Sequence, residues 1–258
     1  MSDNSRIELD PNVVALLSEM EVVFTKFGIE YYIAGAFARD IQFQTKQPDS
    51  NFRKTNDVDL AVCVNHEDRY NELIDSLVAT GSFRRDEKEI IKLHYRLGIE
   101  VDIIPFGDIE DKKRVVSLTK PRAFTLQMPG FAEAANYTEE IKSGNLVLRT
   151  CSVEGIVMLK LISWDDRPQR THDLTDIDNM IDAYFYWNSD EIYVSEFKVM
   201  EIYDTKDFLY LPKVSAHIIG KKIKVLLANS PDLLNRVLGI LNKKSNPRWG
   251  ALINGLNE

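Results

Sequence analysis

The stretch DVDLAVCV at residues 57–64 combines the pattern of a buried β-strand with two carboxylates. Asp57 and Asp59 stand two residues apart where the pattern begins, and the two-residue period of a strand places both side chains on one face. Carboxylates this close repel each other unless a cation lies between them, and such oxygen ligands suit Mg²⁺ or Mn²⁺. An isolated acidic pair can also cap an exposed strand edge, so the pair alone does not establish a cation site.

A second apolar strand pattern, at residues 99–105, carries a third carboxylate. Asp102 has apolar residues on both sides, and an unpaired charge in such a strand would be costly. We therefore expect Asp102 to converge on the first two carboxylates in a two-metal site for in-line displacement at phosphorus. Glu100 lies on the same face by alternation and is the rival third ligand. Asp102 is favoured because it lies in the more apolar half of the strand.

Gly35 separates a short buried-strand pattern from a predicted helix at residues 36–42, which a loop follows. Small residues such as Gly35 and Ala36 let the backbone approach a phosphate, and a helix N-terminus offers N–H groups without partners. A glycine in such a turn can also serve packing alone. Arg39 and Asp40 either form an ion pair that orients the following loop or belong to a solvated turn.

Helical periodicity replaces strand patterns near residue 151, which predicts an α/β domain at 1–150 and a helical domain at 151–258. Lys160 lies on a helix face that is otherwise apolar. Its amine could reach the distal phosphates of a nucleotide, or it could extend from the helix edge to solvent. Asp173 and Asp176 begin the next helix, where carboxylates also stabilise the helix dipole without any catalytic role.

The composition predicts an ordinary globular protein in a reducing, cytoplasmic compartment, since 44% of the 258 residues are hydrophobic and only two are cysteines. Charges interrupt every apolar run before membrane-spanning length, so we expect no membrane segment. The net charge is −8, but from residue 206 onward nine Lys and Arg face three Asp and Glu. This basic segment is either a set of solvated helix faces or a patch for a polyanionic substrate.

Four blocks occur in order: IAGAFARD, RKTNDVDLAV, LGIEVDIIPFG and VEGIVMLKLISWDDRPQRTHDLTDI. Together they resemble the successive motifs of the AbiEii-type (abortive infection, type IV toxin–antitoxin) nucleotidyltransferases of the DNA polymerase β superfamily. The resemblance spans roughly residues 20–225. It implies an α+β class, with a polymerase β-like mixed sheet, flanking helices and a helical C-terminal domain. It also implies Mg²⁺-dependent transfer from a nucleoside triphosphate, often by a toxin that has a cognate antitoxin.

The resemblance assigns site roles to eight positions. These are the first-motif glycine Gly35, the lead-in residues Arg53 and Thr55, the metal ligands Asp57, Asp59 and Asp102, the phosphate-binding Lys160 and the later acidic residue Asp173. One departure bears on activity. The superfamily commonly has Gly or Ser after the first glycine, whereas Ala36 offers no hydroxyl to a phosphate.

Three hypotheses about function follow. The first is a nucleotidyltransferase that modifies RNA, such as a tRNA end, or a protein, as a toxin; the basic segment favours RNA. The second is nucleotidylation of a small molecule such as an antibiotic, which would need an acidic open cleft. The third is a catalytically silent nucleotide-binding module, which the presence of all three aspartates and Lys160 disfavours.

Overall fold

The computed structural model describes residues 7–48, 55 and 57–258, and the chain divides into two compact units, residues 1–152 and 153–258. The strands of the first unit are β1 (Tyr31–Ala34), β2 (Asp57–Cys63), β3 (Phe83–Arg85), β4 (Lys92–Tyr95), β5 (Glu100–Phe106), β6 (Val115–Leu118), β7 (Phe124–Gln127), β8 (Thr138–Ser143) and β9 (Leu146–Cys151). Its helices are α1 (Pro11–Phe27), α2 (Gly35–Lys46), α3 (Glu67–Ala79) and α4 (Phe131–Ala135). The helices of the second unit are α5 (Val153–Asp166), α6 (Thr171–Trp187), α7 (Ser189–Ser195), α8 (Phe197–Met200), α9 (Tyr210–Leu226), α10 (Pro231–Leu241) and α11 (Pro247–Asn257).

Seven strands of the first unit form one mixed sheet in the order β3-β4-β5-β2-β1-β9-β8, and β6 pairs with β7 in a separate ribbon. The neighbours β2 and β5 are parallel, as are β1 and β9, while the other pairs are antiparallel. Alternation along β2 and β5 buries Val58, Leu60, Val101 and Ile103 almost completely. Helix α3 packs over this apolar face, where the Tyr70 hydroxyl donates to the Ile103 carbonyl at 2.9 Å. The carboxylates of both strands therefore lie on the opposite face.

The second unit is a helical bundle around buried aromatic side chains. Trp164 of α5 and Trp249 of α11 meet edge to face, with ring centroids 5.5 Å apart. Helices α9 and α11 approach very closely, since a Cβ on Gly255 would lie 2.0 Å from the His217 carbonyl oxygen. A larger residue at this position would push the two helices apart.

The predicted α+β class is confirmed: a mixed sheet with flanking helices is followed by a helical C-terminal region. Helix α2 is longer than predicted and continues to Lys46, because buried Gln42 and Phe43 anchor its second half. The β6–β7 ribbon, strand β8 and helix α11 were not predicted. Within the described ranges, no helix combines the length and hydropathy that a membrane crossing would require.

Candidate active site

The carboxylates predicted from the sequence lie in register on adjacent strands. Parallel pairing of β2 with β5 puts Asp59 opposite Asp102 and Asp57 opposite Glu100. Directly paired residues point to the same face, and neighbouring strands lie about 4.8 Å apart. Four carboxylates thus share a small patch of the sheet, of which Asp57 is exposed and the others are half-buried.

The two rivals for the third position have different environments. The Lys92 amine of β4 forms an ion pair with Glu100, and this hydrogen bond lowers the pKa of the Glu100 carboxyl. Oδ1 of Asp102 is buried and has no hydrogen-bond partner, and burial raises the pKa of Asp102. An unpartnered buried carboxylate oxygen is costly unless something outside the protein compensates it. This contrast supports Asp102 over Glu100 as the third ligand, which stays a prediction.

Gly35 lies directly against the carboxylate of Asp59. Antiparallel pairing of β1 with β2 puts Ala34 beside Asp59, and the chain then turns at Gly35 into α2 with φ +62°. A Cβ at Gly35 would lie 1.9 Å from Oδ2 of Asp59. Both the left-handed conformation and the close approach require glycine. Gly35 and the half-buried Ala36 thereby bring the N-terminus of α2 to the carboxylates, as a phosphate-binding turn would need.

Arg39 and Asp40 form a buried ion pair rather than a solvated turn, with exposures of 4% and 6%. Nε of Arg39 donates to Oδ1 of Asp40 at 2.9 Å, and Oδ2 of Asp40 accepts the backbone N–H of Thr55 at 2.6 Å. The Thr55 hydroxyl in turn accepts the N–H of Asp57 at 3.2 Å. The pair therefore fixes the chain just before the first metal-ligand candidate. Arg53, the other predicted lead-in residue, lies outside the described residues.

Lys160 belongs to the second unit and is buried there between two carboxylates. Its amine lies 3.0 Å from Oδ1 of Asp173 and 2.7 Å from Oδ2 of Asp176. Asp173 is only 1% exposed and also pairs with Arg170 at 3.3 Å. The alternative interpretation, a lysine that extends from the helix edge to solvent, is thus excluded. Phosphate binding by Lys160 and Asp173 stays a prediction, and it would require the amine to share or leave its carboxylates.

The basic C-terminal segment is largely compensated by acidic residues of the same unit. Six of its nine cations pair with carboxylates: Lys213 with Asp207, Lys221 with Glu196, Lys222 with Glu191, Arg236 with Asp166, Lys243 with Asp165, and Arg248 with Asp182. Most of the basic residues of the segment therefore take part in ion pairs within the second unit. It gives little support to a polyanion-binding patch.

The fit of the carboxylates to a divalent cation can be judged from their donor atoms and register. In the part of the chain that the structure describes, no group of three or more His, Cys, Asp or Glu side chains is arranged to hold a metal ion. The paired positions of Asp59 and Asp102 are fixed by the backbone, so side-chain rotation alone can bring their oxygens together. The all-oxygen set and the unpartnered Oδ1 of Asp102 fit Mg²⁺ or Mn²⁺.

Two features near the carboxylates were missed from the sequence. Lys92 pairs with Asp102 across β4 and β5, which counting outward from a turn at Gly98 could have revealed. The tip of the β3–β4 hairpin also borders a cavity of about 200 Å³. It is lined by Arg85, Asp86, Glu87, Lys88, Ile90, Pro121 and Arg122.

No protein-family model matches the chain, and no curated protein matches it. The similar solved structures include an antibiotic-resistance factor, a nucleotidyltransferase-like protein and a CD-NTase. The antibiotic-resistance factor ANT(2'')-Ia is 13% identical over 75% of this chain and 97% of that one, with a TM-score of 0.39. An antigenic nucleotidyltransferase-like protein from Paracoccidioides brasiliensis is 17% identical over 88% and 90%, with a TM-score of 0.41. The Bradyrhizobium diazoefficiens CD-NTase CdnG, in complex with GTP, is 13% identical over 98% and 95%, with a TM-score of 0.30. Likeness at this level identifies no substrate, and the site residues carry the functional proposal.

Proposed function

We propose that the chain is a metal-dependent nucleotidyltransferase that moves a nucleotidyl group from a nucleoside triphosphate to an acceptor. One observation carries the proposal: Asp59 and Asp102 are paired in register beside Asp57, and Gly35 brings a helix N-terminus against them. An acidic patch next to N–H groups without helical partners suits a triphosphate and its cations together. A purely structural patch would gain nothing from this arrangement.

The site residues of the first unit each have a role in this proposal. Asp57, Asp59 and Asp102 would hold Mg²⁺ or Mn²⁺, which supplies charge neutralisation of the triphosphate and activation of the attacking oxygen. The backbone at Gly35 and the first turn of α2 bind phosphate oxygens. Asp40 holds Thr55, and through it the start of β2, so the first carboxylate keeps its position.

The acceptor in this proposal is RNA, such as a tRNA end, rather than an aminoglycoside. The support is the cavity at the β3–β4 hairpin, where Arg85, Lys88 and Arg122 meet. Asp86 and Glu87 also line the cavity, but Asp86 accepts the N–H groups of Lys88 and Glu89 and pairs with His94, while Arg85 pairs with Asp75 at 2.7 Å. Lys88 and Arg122 are the cations that a phosphate would meet there, so the cavity favours a phosphate over a cationic antibiotic. The AbiEii-type resemblance adds the hypothesis of a toxin with a cognate antitoxin, acting in the cytoplasm.

The core of the proposal is tested by nucleotide transfer with labelled triphosphates in Mg²⁺ or Mn²⁺. Asp59→Asn should reduce transfer by about a hundredfold or more, because a lost ligand removes transition-state stabilisation of about 3 kcal/mol or more. Asp68→Asn is the matched control, since Asp68 is an exposed aspartate on α3. Undiminished transfer by Asp59→Asn would refute the proposal. Growth arrest on expression, relieved by the same substitution, would support the toxin hypothesis.

The acceptor is tested by offering RNA, protein and aminoglycosides to the same enzyme. Lys88→Glu combined with Arg122→Glu should weaken RNA binding and reduce its salt dependence. Two lost phosphate contacts lower the slope of log K against log salt by about 1.4 for a single strand. Lys142→Glu on β8, at the opposite edge of the sheet, is the matched control. Transfer to protein or antibiotic with no effect of the double substitution would exclude the RNA acceptor.

A further inference from the structure

Lys92 lies in line with two of the proposed metal ligands. The register across β4, β5 and β2 places Lys92 beside Asp102, and Asp102 beside Asp59. Directly paired residues share a face, so a cation sits at one end of the carboxylate row. His94, two residues further along β4, lies opposite Glu100, and its ring nitrogen is 2.7 Å from the Asp86 carboxylate. Lys92 is therefore the cation that lies beside Asp102.

The amine of Lys92 contacts Glu100 and leaves Oδ1 of its own cross-strand neighbour Asp102 without a partner. Glu100 is also the residue directly opposite Asp57, and its longer side chain can reach the same space as the shorter aspartates. Without Lys92, four carboxylates could compete for the cations. With Lys92, one of the four is already neutralised by an ion pair.

We propose that Lys92 is a positioning residue that holds Glu100 out of the metal-ligand set and so leaves Asp102 as the third ligand. This inference rests on the proposed function, because it concerns the same metal site. It assigns Lys92 no contact with the substrate. A simple charge effect of Lys92 would not depend on Glu100. The proposed role instead predicts that removing Lys92 makes Glu100 available as a substitute ligand.

Mn²⁺ binding, followed by the electron paramagnetic resonance of free Mn²⁺, tests this without any catalytic readout. Asp102→Asn should weaken Mn²⁺ binding by about tenfold or more, as loss of a ligand or its support does. Adding Lys92→Met should restore about tenfold of that loss through the released Glu100. The gain should disappear again when Glu100→Gln is added to the pair. Lys142→Met, which removes a lysine from the far edge strand of the same sheet, should restore nothing.

The variants separate the possible outcomes. If rescue by Lys92→Met persists when Glu100→Gln is added, Lys92 acts through its charge alone and the inference is overturned. Absence of any rescue by Lys92→Met would overturn it as well. Lys92→Arg keeps the cation and should bind Mn²⁺ like the wild type, which guards against misfolding of the methionine variant. A wild-type protein that neither binds Mn²⁺ nor transfers nucleotides would overturn the proposed function itself, whereas wild-type binding without coupling overturns only the role of Lys92.

Discussion

Replacing Gly35 by alanine should damage the site more than the fold. Gly35 has φ +62°, and the added Cβ would lie 1.9 Å from Oδ2 and 2.7 Å from Cγ of Asp59. Both atoms belong to the carboxylate that the proposal places at the cation. The methyl group therefore has to displace either that carboxylate or the first turn of α2.

The magnitude has two parts. An alanine in the left-handed region costs about 1–2 kcal/mol relative to glycine. Relieving the clash requires a shift of about 1.5 Å to reach ordinary contact, which takes Asp59 off its rotamer at a further cost of about 0.5–1.5 kcal/mol. We expect the unfolding free energy to fall by about 1.5–3.5 kcal/mol in total. A misplacement of about 1 Å at a reacting centre lowers the rate about a hundredfold, so nucleotide transfer should fall at least that far.

Gly28 provides a matched control for the backbone conformation. It ends α1 with φ +59°, nearly the value at Gly35, and a Cβ there would meet nothing within 4 Å. Gly28→Ala should therefore lose only the conformational part, about 1–2 kcal/mol, and keep its transfer activity. The difference between the two variants isolates the contact with Asp59.

Urea denaturation gives the stability of both variants, and transfer from a labelled triphosphate gives their activity. Mn²⁺ binding should weaken in Gly35→Ala and stay unchanged in Gly28→Ala. The reasoning fails if Gly35→Ala transfers nucleotides at the wild-type rate. It also fails if the two variants lose equal stability and equal activity, since the contact with Asp59 would then have no effect.

Three further predictions concern buried charges. Lys160→Met should lower the unfolding free energy by about 3–5 kcal/mol in a denaturation experiment, because two carboxylates lose their buried cation; a change below about 1 kcal/mol would contradict this. Asp40→Asn should destabilise by a similar 3–5 kcal/mol, because Arg39 is 4% exposed and loses the negative charge of Asp40, and wild-type stability would contradict the role of the pair. Burial raises the pKa of Asp178, so its charged form destabilises the folded state once the pH rises above the ordinary carboxyl pKa. Asp178→Asn should therefore raise the melting temperature at pH 7 but not in acid, where the protonated Asp178 and the substituted Asn are both neutral. An increase in melting temperature of equal size at both pH values would show that the charge of Asp178 is not the cause.

The fold could be predicted where the signal was local. Strands β2 and β5 were predicted because apolar residues alternate with carboxylates, and the same alternation fixed the face of Asp57, Asp59 and Asp102. Where stability comes from distant contacts, the sequence was insufficient. Helix α2 continues past its predicted end because the Gln42 side chain donates to the Cys151 carbonyl at 3.1 Å. No local pattern encodes a contact between residues so far apart in sequence.

Helix α11 was missed for a related reason. Gly250 and Gly255 reduce its intrinsic helix propensity, so a sequence reading finds little to support a helix there. In the structure Gly255 is what permits close packing on α9, beside the His217 carbonyl. Tertiary packing thus outweighs propensity. The same limit applies to Lys160: its apolar helix face was visible in the sequence, but its two carboxylate partners come from a different helix.

Three features meet in one row of the sheet. Gly35 adopts a left-handed conformation against Asp59, Oδ1 of Asp102 is buried without a partner, and Lys92 leaves that oxygen for Glu100. The buried, unpartnered oxygen of Asp102 destabilises the folded chain, and strand pairing does not require it. Unsatisfied groups persist where a bound ligand compensates them, so this oxygen, opposite Asp59 on the neighbouring strand, locates the site independently of any motif. A divalent cation between Asp59 and Asp102 would compensate this oxygen, which is the physical reason to expect this sheet to bind one.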